Sequence, residues 1–395
     1  MNHRRLSLWR LQGRHGRVLA SLFVVVVLAV IALSLARYLA EQDAGWRHVL
    51  TPVESVESVG ISPKKLESLL EHVKSERSLS FLIVRDDRVV CEWYTEGYDT
   101  KTLVNPASAT KALFGTLALA SLVDSGYMSF GSPCADWITE WKSDPRRSQI
   151  TLRQLALHRS GLAFGYGDNR DAPGQTDSYL RTSDPYTIAI QQTPLIAPPG
   201  TRHHYSASGY AALSVAMTRE LRRHEFRSIS VWLHKRLFAP MGIRRSSWAP
   251  DSGRVIERSD HDLEPLWSGV SCTARVGALI GRLILNGGAW QGQQLIREDV
   301  IAALISSDPQ AGAVNRPSVA MGWWSNRNGF FERLPRDAVI AAGDGHQIVL
   351  VLPSYNLILV RFGRPLGGVR WHGAFWRALE ERLLDPLMDT IEAVR

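Results

Sequence analysis

Residues 105–126, NPASATKALFGTLALASLVDSG, begin polar and continue as a long apolar run. Ser108 and Lys111 stand at its head, three positions apart. The pattern predicts a helix with Asn105 as N-cap and Pro106 in the first turn. ALFGTLALASLV is apolar nearly all round, so this helix is buried at a boundary between lobes, not laid on a surface. The segments on either side identify the lobes.

Upstream, SPKKLESLLEHVKSE (62–76) reads as an amphipathic helix, with Ser62 as N-cap and Pro63 at the first helical position. LSFLIVRDDRVVCEWYTEGYD (79–99) follows, two β-rich runs around Asp86-Asp87, a hairpin signal. Downstream, residues 105–270 are mostly helical in pattern but loop-rich, with clusters such as FGYGDNRDAPGQTDS (164–178) and IAPPGTRHH (196–204). RVGALIGRLILNGG (275–288) is a helix stopped by Gly287-Gly288. Strands return in MGWWSNR, HQIVLVLP and NLILVRF, the last two joined as a hairpin through Pro353–Asn356. An amphipathic helix over 371–393 ends the chain. The order predicts an α/β (α+β) fold. An antiparallel sheet from both chain ends (61–104 and 271–395) carries the terminal helices, and a mainly helical lobe (105–270) is inserted. The cleft between the lobes is the expected ligand site.

The chain has 395 residues, 45% hydrophobic and 21% charged, enough for a large core. Its formal net charge is +8, but residues 1–17 hold five arginines and no acid. The weak remaining excess shows no basic stripe with interleaved aromatics, so nucleic acid is not an expected partner. The uncharged run VLASLFVVVVLAVIALSLA (18–36) follows. At helical rise it spans roughly 28 Å, about the hydrocarbon thickness of a bilayer. The expectation is one transmembrane helix in the plasma membrane, with the basic head (1–17) cytoplasmic, 37–60 a connector, and the rest of the chain extracytoplasmic. The alternative is a signal peptide cleaved near Ala36. Cys91, Cys134 and Cys272 allow at most one disulfide and read as small buried hydrophobes. No CxxC, HExxH, Walker A or full GxGxxG pattern occurs, so neither a metal nor an organic cofactor is implied.

Ser108-Ala-Thr-Lys111 places a lysine one helical turn from a serine. Serine is a weak nucleophile that needs a base, and a lysine desolvated by apolar neighbours loses proton affinity and can serve as one. Spacing alone is weak evidence, because Ser62-Pro-Lys-Lys65 fits it as well. Two further elements bear chemistry. PPGTRHHYSASGYAALSVAM (198–217) leads through a Pro-Gly turn to Tyr205, which in isolation reads better as a core or turn tyrosine. VIAAGDGHQIVLVLP (339–353) is a glycine-rich approach to a strand. It is either a bulged edge or a backbone brought close to a substrate oxygen.

A Ser-x-x-Lys tetrad, a tyrosine-centred triplet and a glycine-containing strand, in that order, resemble the serine β-lactamase and penicillin-binding-protein superfamily. Within it the chain is similar to class C β-lactamase-related hydrolases, notably 6-aminohexanoate-dimer hydrolases and related esterases. ITLRQLALHRSGLAFG, SCTARVGALIGRLILNGGAWQGQQLI, MGWWSNRNG and GDGHQIVLVLPSYNLILV carry the likeness beyond the three motifs. The resemblance implies Ser108 as acylated nucleophile, Lys111 as base partner and Tyr205 as proton shuttle. It implies an oxyanion hole from the N–H groups of Ser108 and the Gly343 loop, most directly Asp344. His158 is expected to stabilise a turn, His203 and His204 to flank the site, and Trp323 and Trp324 to lie in the core or cleft wall. Two motifs depart from the pattern. The usual Tyr-x-Asn is Tyr205-Ser206-Ala207, leaving Ser206 or Ser208 to substitute for the amide. The usual Lys-Thr-Gly is Ala341-Ala342-Gly343, leaving His346 to supply the carboxylate grip, with Gly345 beside it in the substrate-binding loop. The expected activity is hydrolysis of a small ester or amide. A β-lactamase or D,D-peptidase-like enzyme and an inactive ligand-binding homologue are the alternatives.

Overall fold

The computed structural model describes residues 50–163, 183–310, 315–370 and 374–391. The basic head, the expected anchor at 18–36 and the cluster at 164–178 lie outside them. Among the described residues no helix is long and apolar enough to cross a membrane.

One eight-stranded sheet organises the protein. Its strands are β1 (Thr51–Pro52), β2 (Ser78–Arg85), β3 (Arg88–Tyr94), β4 (Ser318–Val319), β5 (Trp324–Ser325), β6 (Val339–Gly343), β7 (Gln347–Leu352) and β8 (Leu357–Gly363). They lie in the order β1-β3-β2-β8-β7-β6-β5-β4. All neighbours are antiparallel except β1 and β3, which run parallel. The central strands are buried on both faces, which explains why IVLVL and LILV read as continuous apolar runs rather than alternating ones. Asp86 and Asp87, both in the left-handed region at φ 51° and 57°, make the two-residue turn that the β2–β3 sequence predicts. The expected connector at 37–60 is different from its residue 50 onward. Leu50 is buried, β1 joins the sheet, and Arg85 Nη1 donates to the Gly60 carbonyl at 2.9 Å.

Helix α1 (Pro63–Ser75) and a C-terminal helical run over residues 375–390 pack together beside the sheet. That run is not uniform, because a π-turn at Glu380–Leu384 separates two α-helical pieces just before Pro386, which has no N–H to continue the α pattern. The inserted lobe contains α2 (Leu117–Asp124), α3 (Ala207–Arg223) and α4 (Ile229–Leu233). Helix α5 (Ala274–Leu285) then crosses the sheet and ends at the left-handed pair Gly287-Gly288. Gly277 and Gly281, one turn apart on α5, let it approach β7 and β8 closely. A Cβ on Gly281 would lie 2.9 Å from Ile358 Cγ2. The three cysteines are free, and Cys134 and Cys272 are fully buried.

Gly281→Leu is therefore expected to destabilise the protein by about 1–3 kcal/mol, the usual range for overpacking, in a chemical-denaturation experiment.

Candidate active site

Ser108 and Lys111 do not sit on a regular α-helix as the sequence predicts. Ala107–Ala109 form a 3₁₀ turn, Lys111–Thr116 a π-turn, and α-helical geometry begins only at Leu117. Asn105 is not a helix cap, since its Oδ1 accepts from the Ala107 N–H two residues on, at 2.8 Å. Ala107 sits at φ 48°, a left-handed conformation that a residue with a Cβ adopts only under constraint.

The constraint comes from the sheet. Gly343, at the end of β6, is pressed against the Ser108 turn. A Cβ there would stand 2.1 Å from the Pro106 carbonyl and 3.0 Å from the Ser108 nitrogen. Gly322 does the same one turn later at φ 73°, where a Cβ would be 3.0 Å from the Lys111 carbonyl, Thr116 Oγ1 and Tyr210 Oη.

Lys111 is almost wholly buried, at 3% exposure. Its Nζ lies 3.3 Å from Ser108 Oγ and donates to the Trp267 carbonyl at 2.6 Å. It also stands over the rings of Tyr205 and Tyr210, 4.7 and 5.4 Å from their centroids. Burial lowers its pKa from the ordinary lysine value to about 7, and among the described residues no carboxylate offsets the lost hydration. The Trp267 carbonyl is held by the segment that starts at Glu264. That buried carboxyl accepts from the Ser230 N–H at 2.7 Å, and burial pushes its pKa up to about 7.

Tyr205 enters the same pocket just before α3, stacked on His158 with ring centroids 4.3 Å apart. The pocket is lined by Ser108, Lys111, His158 and Tyr205 on one side. Val319, Ala320, Gly322, Trp323, Trp324 and Ala342 line the other. Trp323 and Trp324 are thus cleft wall. His158 turns the chain at φ 57°, and its neighbour Arg159 pairs with buried Asp308 at 3.0 Å, tying this turn to the segment leading to Val319. His203 and His204 flank the site through contacts to His158, an edge-on ring contact and a backbone bond.

Several expected site residues lie elsewhere. Ser206 caps α3: its Oγ accepts from the Gly209 N–H at 3.0 Å and donates to the Ala163 carbonyl at 2.7 Å, so it has no hydroxyl proton left for substrate. Ser208 meets Thr193 Oγ1 at 3.1 Å. His346 is fully buried behind the β6–β7 turn. One ring nitrogen meets the Phe375 carbonyl at 3.0 Å and the other accepts from the Leu366 N–H at 3.1 Å. Burial lowers its pKa to about 4, so it is neither cationic nor available as a carboxylate grip. Gly345 turns the hairpin, and its carbonyl accepts from the buried Arg361. The Asp344 side chain points outward to Arg370 at 3.3 Å, leaving its backbone, next to Gly343, as the part nearest the Ser108 turn. The Trp267 carbonyl and Tyr210 carry no motif and were not expected.

This arrangement has known counterparts. The family described as Beta-lactamase matches residues 66–365. The chain belongs to that family. It is 22% identical over 349 residues to a 6-aminohexanoate-dimer hydrolase of Paenarthrobacter ureafaciens, covering 83% of each chain. It superposes on a family VIII carboxylesterase with a TM-score of 0.62 at 17% identity, covering 82% of this chain and 98% of the other. It also superposes on a penicillin-binding protein homologue of Caulobacter crescentus, at 0.58 and 16%, covering 77% and 93%. The protein is a serine hydrolase of the β-lactamase fold.

Gly343→Ala is expected to displace the Ser108 turn. Ester hydrolysis should fall about a hundredfold or more, the scale of a lost oxyanion donor. The measurement is kcat/KM on a nitrophenyl ester, with circular dichroism confirming the fold.

Proposed function

We propose that this hydrolase cleaves small, uncharged esters or amides through an acyl-enzyme on Ser108. The observation that carries the reading is the buried amine of Lys111, 3.3 Å from Ser108 Oγ and lowered to about 7 by desolvation. At neutral pH a large fraction of that amine is free base. It accepts the Ser108 proton as Oγ attacks the substrate carbonyl. The oxyanion is received by the N–H groups of Ser108 and Asp344. Tyr205 relays the proton to the leaving group, which departs as alcohol or amine. Water activated by Tyr205 or Lys111 then releases the acid and returns the proton to Ser108.

Small and uncharged substrates are favoured by the pocket itself. Among its described lining residues Lys111 is the one cation, and its charge is already weakened; apart from Ser108 the rest is apolar or aromatic. Ala207 supplies no amide and His346 no charge. The outer face of the plasma membrane, with residues 18–36 as anchor, is the location we propose.

A fluorophosphonate probe should label the wild-type protein and leave Ser108→Ala unlabelled; equal labelling would end the assignment. The rate should rise with pH. Below about 7 Lys111 is protonated and cannot accept the proton, and above it the free amine predominates, so kcat/KM should climb from pH 6 to 8 and level off. Turnover of a chromogenic cephalosporin as fast as that of esters would favour the cell-wall reading instead. For location, the full chain should stay with membranes through an alkaline carbonate wash, and a variant lacking residues 1–37 should not.

A further inference from the structure

His158 is the buried titratable side chain at the site that acyl transfer by Ser108, Lys111 and Tyr205 leaves without a role. Its Nδ1 accepts the backbone N–H of Ser206 at 3.0 Å. A backbone N–H can only donate, so in the neutral ring the proton sits on Nε2. The ring is kept neutral, because burial and then the nearby His203, Lys111 and His204 hold its pKa well below the ordinary histidine value.

Nε2–H meets no acceptor among the described residues, nor is it among the sealed, unsatisfied polar atoms. The ring lines the pocket with Ser108 and Lys111 and stacks on Tyr205. A neutral donor therefore faces the substrate space beside the tyrosine. Two residues after Tyr205, Ala207 is buried and has no side-chain polar atom.

We propose that His158 Nε2–H is a specificity-determining donor. It binds an acceptor oxygen on the acyl portion of the substrate and selects acyl groups that carry a neutral carbonyl near the scissile bond. This rests on the reading of Ser108 as nucleophile. His158 thus has two jobs on its two nitrogens: Nδ1 holds the start of α3, and Nε2 reads the acyl group.

The two jobs can be separated. Asparagine places an acceptor where Nδ1 stood, tolerates positive φ, and has nothing at the Nε2 position. The full chain, wild type and His158→Asn, is assayed on nitrophenyl N-acetylglycinate, which has an acyl carbonyl to bind, and on nitrophenyl acetate, which has none. His158→Asn should lower kcat/KM on the first about tenfold, the size of one neutral hydrogen bond, and change the second less than about twofold. Fluorophosphonate labelling and melting temperature should stay at wild-type values. His158→Gln, whose amide reaches the Nε2 position, should recover part of the preference for the N-acetylglycyl ester. Equal losses on both esters, or no loss on either, would overturn the proposal and leave His158 a purely structural residue. Failure of wild type to label at Ser108 is a separate result that removes the underlying acyl-enzyme reading and this proposal with it.

Discussion

The seat of Gly343 on the Ser108 turn is the contact on which the site depends. The strand and the turn meet so closely that the space for a Cβ is taken by the Pro106 carbonyl. That contact brings the end of β6 to the head of the helical lobe. In the mechanism we propose, it also brings the Asp344 N–H alongside the serine, where charge developing on a substrate oxygen requires a second donor. The turn behind it is rigid. Arg361, fully buried, donates to the carbonyls of Gly345, His346, Glu76 and Arg364 and to Ser78 Oγ. A buried guanidinium satisfied by carbonyls fixes their positions, because each lost bond would leave a desolvated charge unpaired.

The second constraint is the burial of Lys111. Removing an ammonium from water is unfavourable, and no carboxylate among the described residues stands by to offset it. The fold answers with one backbone carbonyl and two aromatic faces, enough to orient the amine but too weak to keep its proton firmly bound. A fully paired lysine would be held as a cation, and an exposed one would keep its ordinary proton affinity. The strained Ala107 and the π-turn at Lys111–Thr116 belong to the same arrangement. Irregular backbone recurs at functional sites because surrounding packing, here Gly322 and Gly343, over-determines it.

Much of this was legible in the sequence. The β2–β3 hairpin follows from Asp86-Asp87 between β-rich runs, and the end of α5 from Gly287-Gly288. A lysine heading an apolar helix follows from ATKALFGTLALA. These are local signals: turn chemistry, periodicity and side-chain type act within a few residues. The errors were also local in form. Ser206 looked available to replace the amide missing at Ala207, yet a serine just before a helix start satisfies the helix first. His346 looked like a cation because it follows Gly345, yet the residue after a tight turn points back into the fold as readily as into the cleft.

By itself the sequence determined the chemical types and their order: a serine with a lysine one turn away, a tyrosine, then a glycine where two backbones meet. It also determined that the sheet draws on both chain ends. Only the tertiary structure decided which groups converge. The Trp267 carbonyl reaches Lys111 across 156 positions, and Tyr205 reaches His158 from another element. Such contacts leave no pattern in sequence, because a backbone carbonyl belongs to every residue and its position is set by packing. The direction of each side chain is likewise fixed by which hydrogen bonds the fold must satisfy first. That competition turned Ser206 and His346 away from the pocket and left one face of His158 toward it.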